Sequence, residues 1–350
     1  MHFNNNIRIA DRLISESSPT YIIAEAGVNH NGDIALARQL IDVAVEAKVD
    51  AVKFQSFKTE SLILESVEKA AYQKVTTGAS DSQFQMLKKL EMSVEQMIDL
   101  QAYCTERGIT FITTPFDEDS LDELDALNLP AYKVSSTDLT NIAFVEKVAA
   151  KGKPVILSTA MSYIDEIQEV LRQVHPINQD IIILQCTGNY PTQPENINLK
   201  ILNTYWETFD MLVGFSDHSA GVGASPFAVA RGAKVIEKHF TLDKSMEGPD
   251  HIASLDPSEL KELVSNIRTV EQYLGNPEKR PTASEEESRK KLQKCLVASK
   301  NILAGEFFTR DNIIGKRTGG IGISAMKYKE VIGLTATRDY SINEIIETNS

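Results

Sequence analysis

Residues Tyr21–Ala47 read YIIAEAGVNHNGDIALARQLIDVAVEA. The opening YIIAEA is a short apolar run, the composition of a strand buried in a parallel sheet. An Asn-Gly turn follows, and Asp33 is placed to cap a helix running amphipathically to Ala47. The segment is therefore one β-α unit. Apolar runs of the same length recur at Ala51–Gln55, Ile109–Thr114, Ala131–Ser135, Pro154–Thr159, Ile181–Cys186, Met211–Ser216 and Lys234–His239. Helical patterns follow most of them. Ser93–Arg107 opens with the capping-box pattern S-V-E-Q, and Ser258–Leu274 closes the series. Eight such units point to a (β/α)8 barrel, in preference to an open doubly wound sheet, because polar residues repeat at the strand C-terminal ends. Two departures stand out. The insert Ser56–Glu91 lies on the side where barrel active sites form and is expected to help cover the pocket. Ahead of the first strand, Asn6–Leu13 reads as a short hairpin able to plug the barrel bottom.

Beyond Leu274 the composition changes. Gly275–Lys291 is polar and charged, and its SEEESRKK cluster reads as a solvated linker face. The expected organisation is a barrel over residues 1–280, a linker over 281–291, and a small separate domain over 292–350. The net charge of −13 leaves no general attraction for nucleic acid or anionic lipid. An anionic substrate would need local cations and amides. Cys104, Cys186 and Cys295 form no disulfide pattern, so a reducing compartment is expected. With no signal peptide or membrane span readable, the expected location is the cytoplasm. No Cys-His arrangement is readable around Cys186, which reads as a buried structural thiol. The glycines of KRTGGIG neither follow a strand nor open a helix, which argues against a nucleotide loop.

The chemistry is expected at the strand tops. Glu25 ends the first strand; Lys53 and Gln55 share a face of the second, as Glu237 and His239 share a face of the eighth. Lys53 and Lys133, ringed by hydroxyls of Thr114, Ser136, Ser158 and Ser216, would suit a phosphate monoester. His218 and His239 come from adjacent strand tops. They could hold a loosely bound divalent ion acting as a Lewis acid, or each could simply bond a carboxylate.

These stretches together resemble the sialic acid synthase family. The matching segments are IAEAGVNHNGD, AVKFQSFK, TTPFDEDS, YKVSS, ILSTAM, GFSDHS, VIEKHFTLDKSMEGPDH and KRTGGIGIS, spread from Tyr21 to Ile346. The resemblance implies a barrel followed by a small antifreeze-like domain, and a domain-swapped homodimer. It implies condensation of phosphoenolpyruvate with an N-acetylated hexose, N-acetylmannosamine being favoured over a diacetamido-trideoxy hexose. Lys53, Thr114, Lys133, Ser136, Ser158 and Ser216 would hold phosphoenolpyruvate. His218 and His239 would bind the metal, commonly manganese. Glu25, Gln55, Tyr190, Glu237 and Asp250 would surround the sugar and reacting carbons, with Glu25 or Glu237 handling the water. Arg317 would reach the N-acetyl group from the partner. Some positions depart from the family pattern: Asp138 stands where Glu is frequent, Ala160 where Gly is usual, Gly188 where some members are polar, and Thr318 where Pro commonly follows Arg. A non-catalytic glycan-binding protein is the reading from another class, but it leaves the strand-top lysines and histidines without a purpose.

Overall fold

The computed structural model describes residues 1–69, 73, 76–77 and 82–347. The chain divides into two compact units, Met1–Gly275 and Asn276–Ser350. The first opens with the hairpin of β1 (Asn6–Ile9) and β2 (Arg12–Ser15), antiparallel and two residues longer than read from sequence. Eight parallel strands follow: β3 (Tyr21–Gly27), β4 (Ala51–Ser56), β5 (Thr110–Pro115), β6 (Tyr132–Val134), β7 (Val155–Ser158), β8 (Ile181–Cys186), β9 (Val213–Asp217) and β10 (Val235–His239). Their hydrogen-bonded order runs β5-β4-β3-β10-β9-β8-β7-β6, and the end strands β5 and β6 lie side by side. The sheet thus closes into the expected barrel.

Side-chain alternation divides the apolar residues into two layers. Ile22, Val52, Phe111, Leu157 and Ile236 face outward and join the helices in the main core. Ile23, Ala51, Ile112, Ile156, Leu212 and Val235 face inward, where Ile7, Ile9 and Ile14 of the hairpin join them. The hairpin therefore fills the barrel bottom, and the inner cluster ends below the polar strand tops.

Local sequence fixes the helix starts. Asp33 accepts from the Ala35 amide ahead of the helix Ile34–Ala47. Ser93 and Gln96 complete the capping box of Val94–Arg107. The insert holds the short helix Thr59–Leu62 and the helix Gln83–Leu90. No helix among the described residues is long and apolar enough to cross a membrane.

The second unit corrects the expected boundaries. The division falls after Gly275, and the stretch read as linker contains the helix Ala283–Leu292. Thr282 and Glu285 form a reciprocal capping box there, so the charge cluster is helical. Beyond it β11 (Lys294–Ala298) pairs antiparallel with β12 (Ile313–Arg317) over a core that includes Leu296, Phe308, Ile313 and Tyr340. In the KRTGGIG loop, Gly322 has φ of +101°, and a Cβ there would overlap the Ile345 side chain. Its glycine is needed for packing; contrary to the expectation, the glycines of this loop do follow a strand, since β12 ends at Arg317.

Candidate active site

Seven barrel strands deliver polar side chains to one cavity of about 470 Å³ at their C-terminal ends. At its floor lies a buried charge ladder. Lys53 Nζ is 2.8 Å from Glu25 Oε2, an ion contact without hydrogen-bond alignment, and 3.8 Å from Glu237 Oε2. Lys133 Nζ is 3.9 Å from Glu237 Oε1. Lys53 also donates to Thr114 Oγ1 at 2.8 Å, Gln55 Nε2 to Glu25 Oε1 at 3.0 Å, and Ser216 Oγ to Glu237 Oε1 at 3.1 Å. All four charged residues are 5 % exposed or less. Such burial is tolerated because each charge has an opposite neighbour.

The two acids are pushed apart. Burial raises the Glu25 carboxyl, Lys53 opposes it, and the charge of Glu237 adds to the rise. Burial also acts upward on Glu237, but Lys133, Lys53 and His218 outweigh it and hold it below its ordinary value. Lys133 is lowered, chiefly by desolvation. Carboxyls shifted in opposite directions are the arrangement expected of groups with different proton-handling tasks.

On the β9–β10 side stand the two histidines, ring centroids 5.5 Å apart. His218 Nδ1 faces the Thr187 carbonyl at 2.8 Å, which assigns the proton to that nitrogen. Its Nε2 shares a hydrogen bond with the Tyr190 hydroxyl at 3.0 Å, with the rings stacked at 4.1 Å. His239 Nδ1 is buried without a hydrogen-bond partner, and burial, helped by His218, keeps its ring well below the ordinary histidine range. Burial acts downward on His218, but the neighbouring Cys186 and the Thr187 carbonyl outweigh it and raise the ring above its ordinary value, so a divalent cation held by the two adjacent imidazoles would displace a proton and the Tyr190 contact at His218 Nε2. Among the described residues no set of three or more His, Cys, Asp or Glu side chains forms a metal group. Such an ion would keep positions for water or substrate. Across the cavity Ser158 Oγ is likewise buried with no partner.

Of the residues singled out from sequence, Glu25, Lys53, Gln55, Thr114, Lys133, Ser136, Ser158, Tyr190, Ser216, His218, Glu237, His239 and Asp250 line this cavity. Ser136 Oγ accepts from the Ala160 amide at 2.9 Å and keeps its own proton to donate. Asp250 is buried, which lifts its carboxyl to about 6. Asp138 does not line the cavity. Its neighbour Thr137 does, and donates to Asp138 Oδ2 at 3.2 Å. Desolvation raises Asp138 to about 6 as well. Arg317 ends β12 in the second unit and is exposed. The insert supplies Leu62, Ile63, Met86 and Leu87 to the wall, so its described part does cover the pocket.

Three features were not legible. Cys186 Sγ lies 3.6 Å from His218 Nδ1, a contact between residues 32 apart in sequence. Outside the barrel wall, Asp217 and Lys238 form a wholly buried ion pair at 3.2 Å. The VNHNGD stretch is locked to the segment that runs from Phe240 through GPDH to Ser254: Asn29 Nδ2 donates to Phe240 O and Ser254 Oγ, and the His251 ring contacts Thr241 Oγ1 and Asn31 Oδ1. This lock holds the Pro249–Asp250 rim; the polar composition of both stretches was the available signal.

A protein-family model described as the NeuB family matches residues 40–279. The chain is 44 % identical over 330 residues to N,N'-diacetyllegionaminic acid synthase of Campylobacter jejuni, covering 93 % of this chain and 98 % of that one. It is 40 % identical over 307 residues to N-acetylneuraminate-9-phosphate synthase of Mus musculus, covering 87 % and 85 %. Its structure is similar to the crystal structure of N-acetylneuraminic acid (sialic acid) synthetase from Leptospira borgpetersenii in complex with citrate. There the TM-score is 0.74 at 32 % identity, covering 82 % of this chain and 96 % of the other.

Proposed function

The chain belongs to the NeuB family of sugar synthases, and on that premise we propose that it joins phosphoenolpyruvate to the open-chain aldehyde of an N-acetylated hexose, releasing phosphate and a nine-carbon keto acid. The observation that carries the reading is the composition of one cavity. Lys53 and Lys133, with the hydroxyls of Thr114, Ser158 and Ser216, line one part of it, and the two adjacent imidazoles of His218 and His239 line another. The ammonium groups and hydroxyls suit the phosphate and carboxylate of the donor.

The reaction makes one carbon–carbon bond. The methylene carbon of phosphoenolpyruvate attacks the aldehyde carbon, and the aldehyde oxygen takes up a proton. Water adds to the former enol carbon, whose bond to the phosphate-bearing oxygen breaks; the water oxygen becomes that of the ketone. Glu237, held as a carboxylate between two lysines, orients the water. Glu25, held upward by burial, carries the mobile proton. His218 and His239 would hold a divalent ion, manganese being the expected one, which would supply Lewis acidity towards the aldehyde oxygen. Positioning and fixed charge supply the rest.

Two acceptors fit the reading, N-acetylmannosamine and a diacetamido-trideoxy hexose. Identity and coverage are both greater towards the legionaminic relative than towards the neuraminate-phosphate relative. This likeness is the reason to test a 2,4-diacetamido-2,4,6-trideoxy hexose beside N-acetylmannosamine, which relatives and solved structures of the family support equally. A homodimer, with Arg317 of the partner subunit at the N-acetyl group, belongs to the same proposal and rests on the likeness of KRTGG to the family motif. Phosphate release from phosphoenolpyruvate and manganese, with each sugar and with or without chelator, tests the reading. Chelator-sensitive release with one of the two sugars is expected, and which one identifies the acceptor. No release with either overturns the proposal.

A further inference from the structure

Side chains at the ends of β9 and β10 alternate across the barrel wall. Ser216 and His218 face the cavity, as do Glu237 and His239. Asp217 and Lys238, between them in sequence, face away from it. The parallel register sets Lys238 directly opposite Asp217, so the outward pair joins the two strands just behind the two imidazoles. Both residues are 1 % exposed, and Lys238 Nζ stands 3.2 Å from Asp217 Oδ1.

The Asp217 carboxylate is also the hub of the loop that leaves His218. Oδ1 accepts from the Ser219 amide at 2.8 Å and from the Ser219 hydroxyl. Oδ2 accepts from the Ala224 amide at 3.2 Å, the Ser225 amide at 3.0 Å and the Ser225 hydroxyl at 2.7 Å. Lys238 Nζ donates to the Ser219 carbonyl, tying the same loop to β10. The loop passes so close that a Cβ on Gly223, whose φ is +63°, would overlap Ser219 Oγ. It would also come within 3.1 Å of both Asp217 Oδ2 and Lys238 Nζ. Five donors and an ammonium group converging on one carboxylate far exceed what joining two strands already bonded in register requires.

We infer that Asp217 and Lys238 are positioning residues for the two-imidazole site: their buried contact fixes the His218 loop against β10 and so sets the relation of His218 to His239. The inference rests on the reading of those histidines as ligands of a divalent ion. It assigns neither residue a contact with substrate. Lys53, Thr114, Lys133 and Ser158 stand on β4, β5, β6 and β7, and of the donor-binding groups only Ser216 shares a strand with the pair, its side chain on the opposite face from Asp217, so disturbing the pair should affect the donor site far less than the imidazoles.

The test is the affinity of the full chain for Mn2+ alone, read from the electron paramagnetic resonance signal of the free ion. The affinity for phosphoenolpyruvate is measured separately by calorimetry without metal. Two variants are compared with wild type: Asp217→Asn, and the double variant Asp217→Asn/Lys238→Met, which leaves no unpaired buried ammonium and so guards against misfolding. The expected result is Mn2+ affinity lowered about tenfold or more, with phosphoenolpyruvate affinity within about twofold of wild type. A folded variant with wild-type Mn2+ affinity and only a lowered melting temperature overturns the inference and leaves the metal reading standing. A wild-type protein that binds no Mn2+ overturns both.

Discussion

His30 is wholly buried in the turn after β3, and its ring is confined by its surroundings. Nδ1 accepts from the Gly32 amide at 3.0 Å, and Nε2 has no hydrogen-bond partner. Desolvation, against some help from Asp33, lowers its pKa to about 4. Between that value and the unfolded value near 6.5 the unfolded chain binds a proton that the folded chain does not. Stability due to this residue is therefore intact above the unfolded pKa and falls as pH drops through the window. Asp250 and Asp138, raised to about 6 by burial, act oppositely between about 4 and 6, so the comparison needs a variant that shares them. His30→Asn keeps an acceptor for the Gly32 amide and does not titrate. From pH 7 to pH 5, wild type should lose roughly 2 kcal/mol relative to His30→Asn, measured by urea unfolding at both pH values. Equal losses would show that the ring is protonated in the folded state.

The elements differ in how much of their placement local chemistry dictates. Helix starts were readable wherever a capping residue preceded an apolar period, as at Asp33 and Ser93. The helix Ala283–Leu292 was missed although Thr282–Glu285 carries the same T-x-x-E signal, because it buries no residue and so shows no apolar stripe. The β1–β2 hairpin was readable as a turn between short strands, and its Ile7, Ile9 and Ile14 complete the inner core. Ile14→Ala should therefore cost about 2–5 kcal/mol by leaving a cavity at the barrel bottom. Because the strand tops are untouched, phosphoenolpyruvate affinity should stay within about twofold, read by chemical denaturation and a binding titration. A fall in affinity matching the fall in stability would mean that the bottom and top of the barrel move together.

At the scale of the molecule, the proposed homodimer makes a prediction of its own. If Arg317 of the partner subunit completes each site, Arg317→Ala and His239→Ala homodimers are each impaired, for different reasons. Mixing them under conditions that exchange subunits should restore activity, because a mixed dimer holds one site with both residues intact. Light scattering should give twice the 38.8 kDa chain mass. No recovery from an exchanged mixture would put Arg317 and His239 of one site on the same chain or remove Arg317 from the site.

What the sequence determined by itself is the periodic part of the protein. Eight β-rich runs alternating with amphipathic helices specify a barrel, because each run can bury its apolar residues only by pairing with its neighbours beneath a helical layer. The two-residue period also specified that Lys53 goes with Gln55 and Glu237 with His239, since alternate residues of a strand share a face. Tertiary structure alone decided what depends on distance between strands. It set Lys53 between Glu25 and Glu237, drove the two carboxyls in opposite directions, brought Cys186 to His218, and paired Asp217 with Lys238 on the far side of the wall. It also left Asp138 off the cavity wall. Hydrophobic burial repeats along the chain and can be read there. Electrostatic pairing depends on separations of a few ångströms between residues tens of positions apart, which only strand register and barrel closure define.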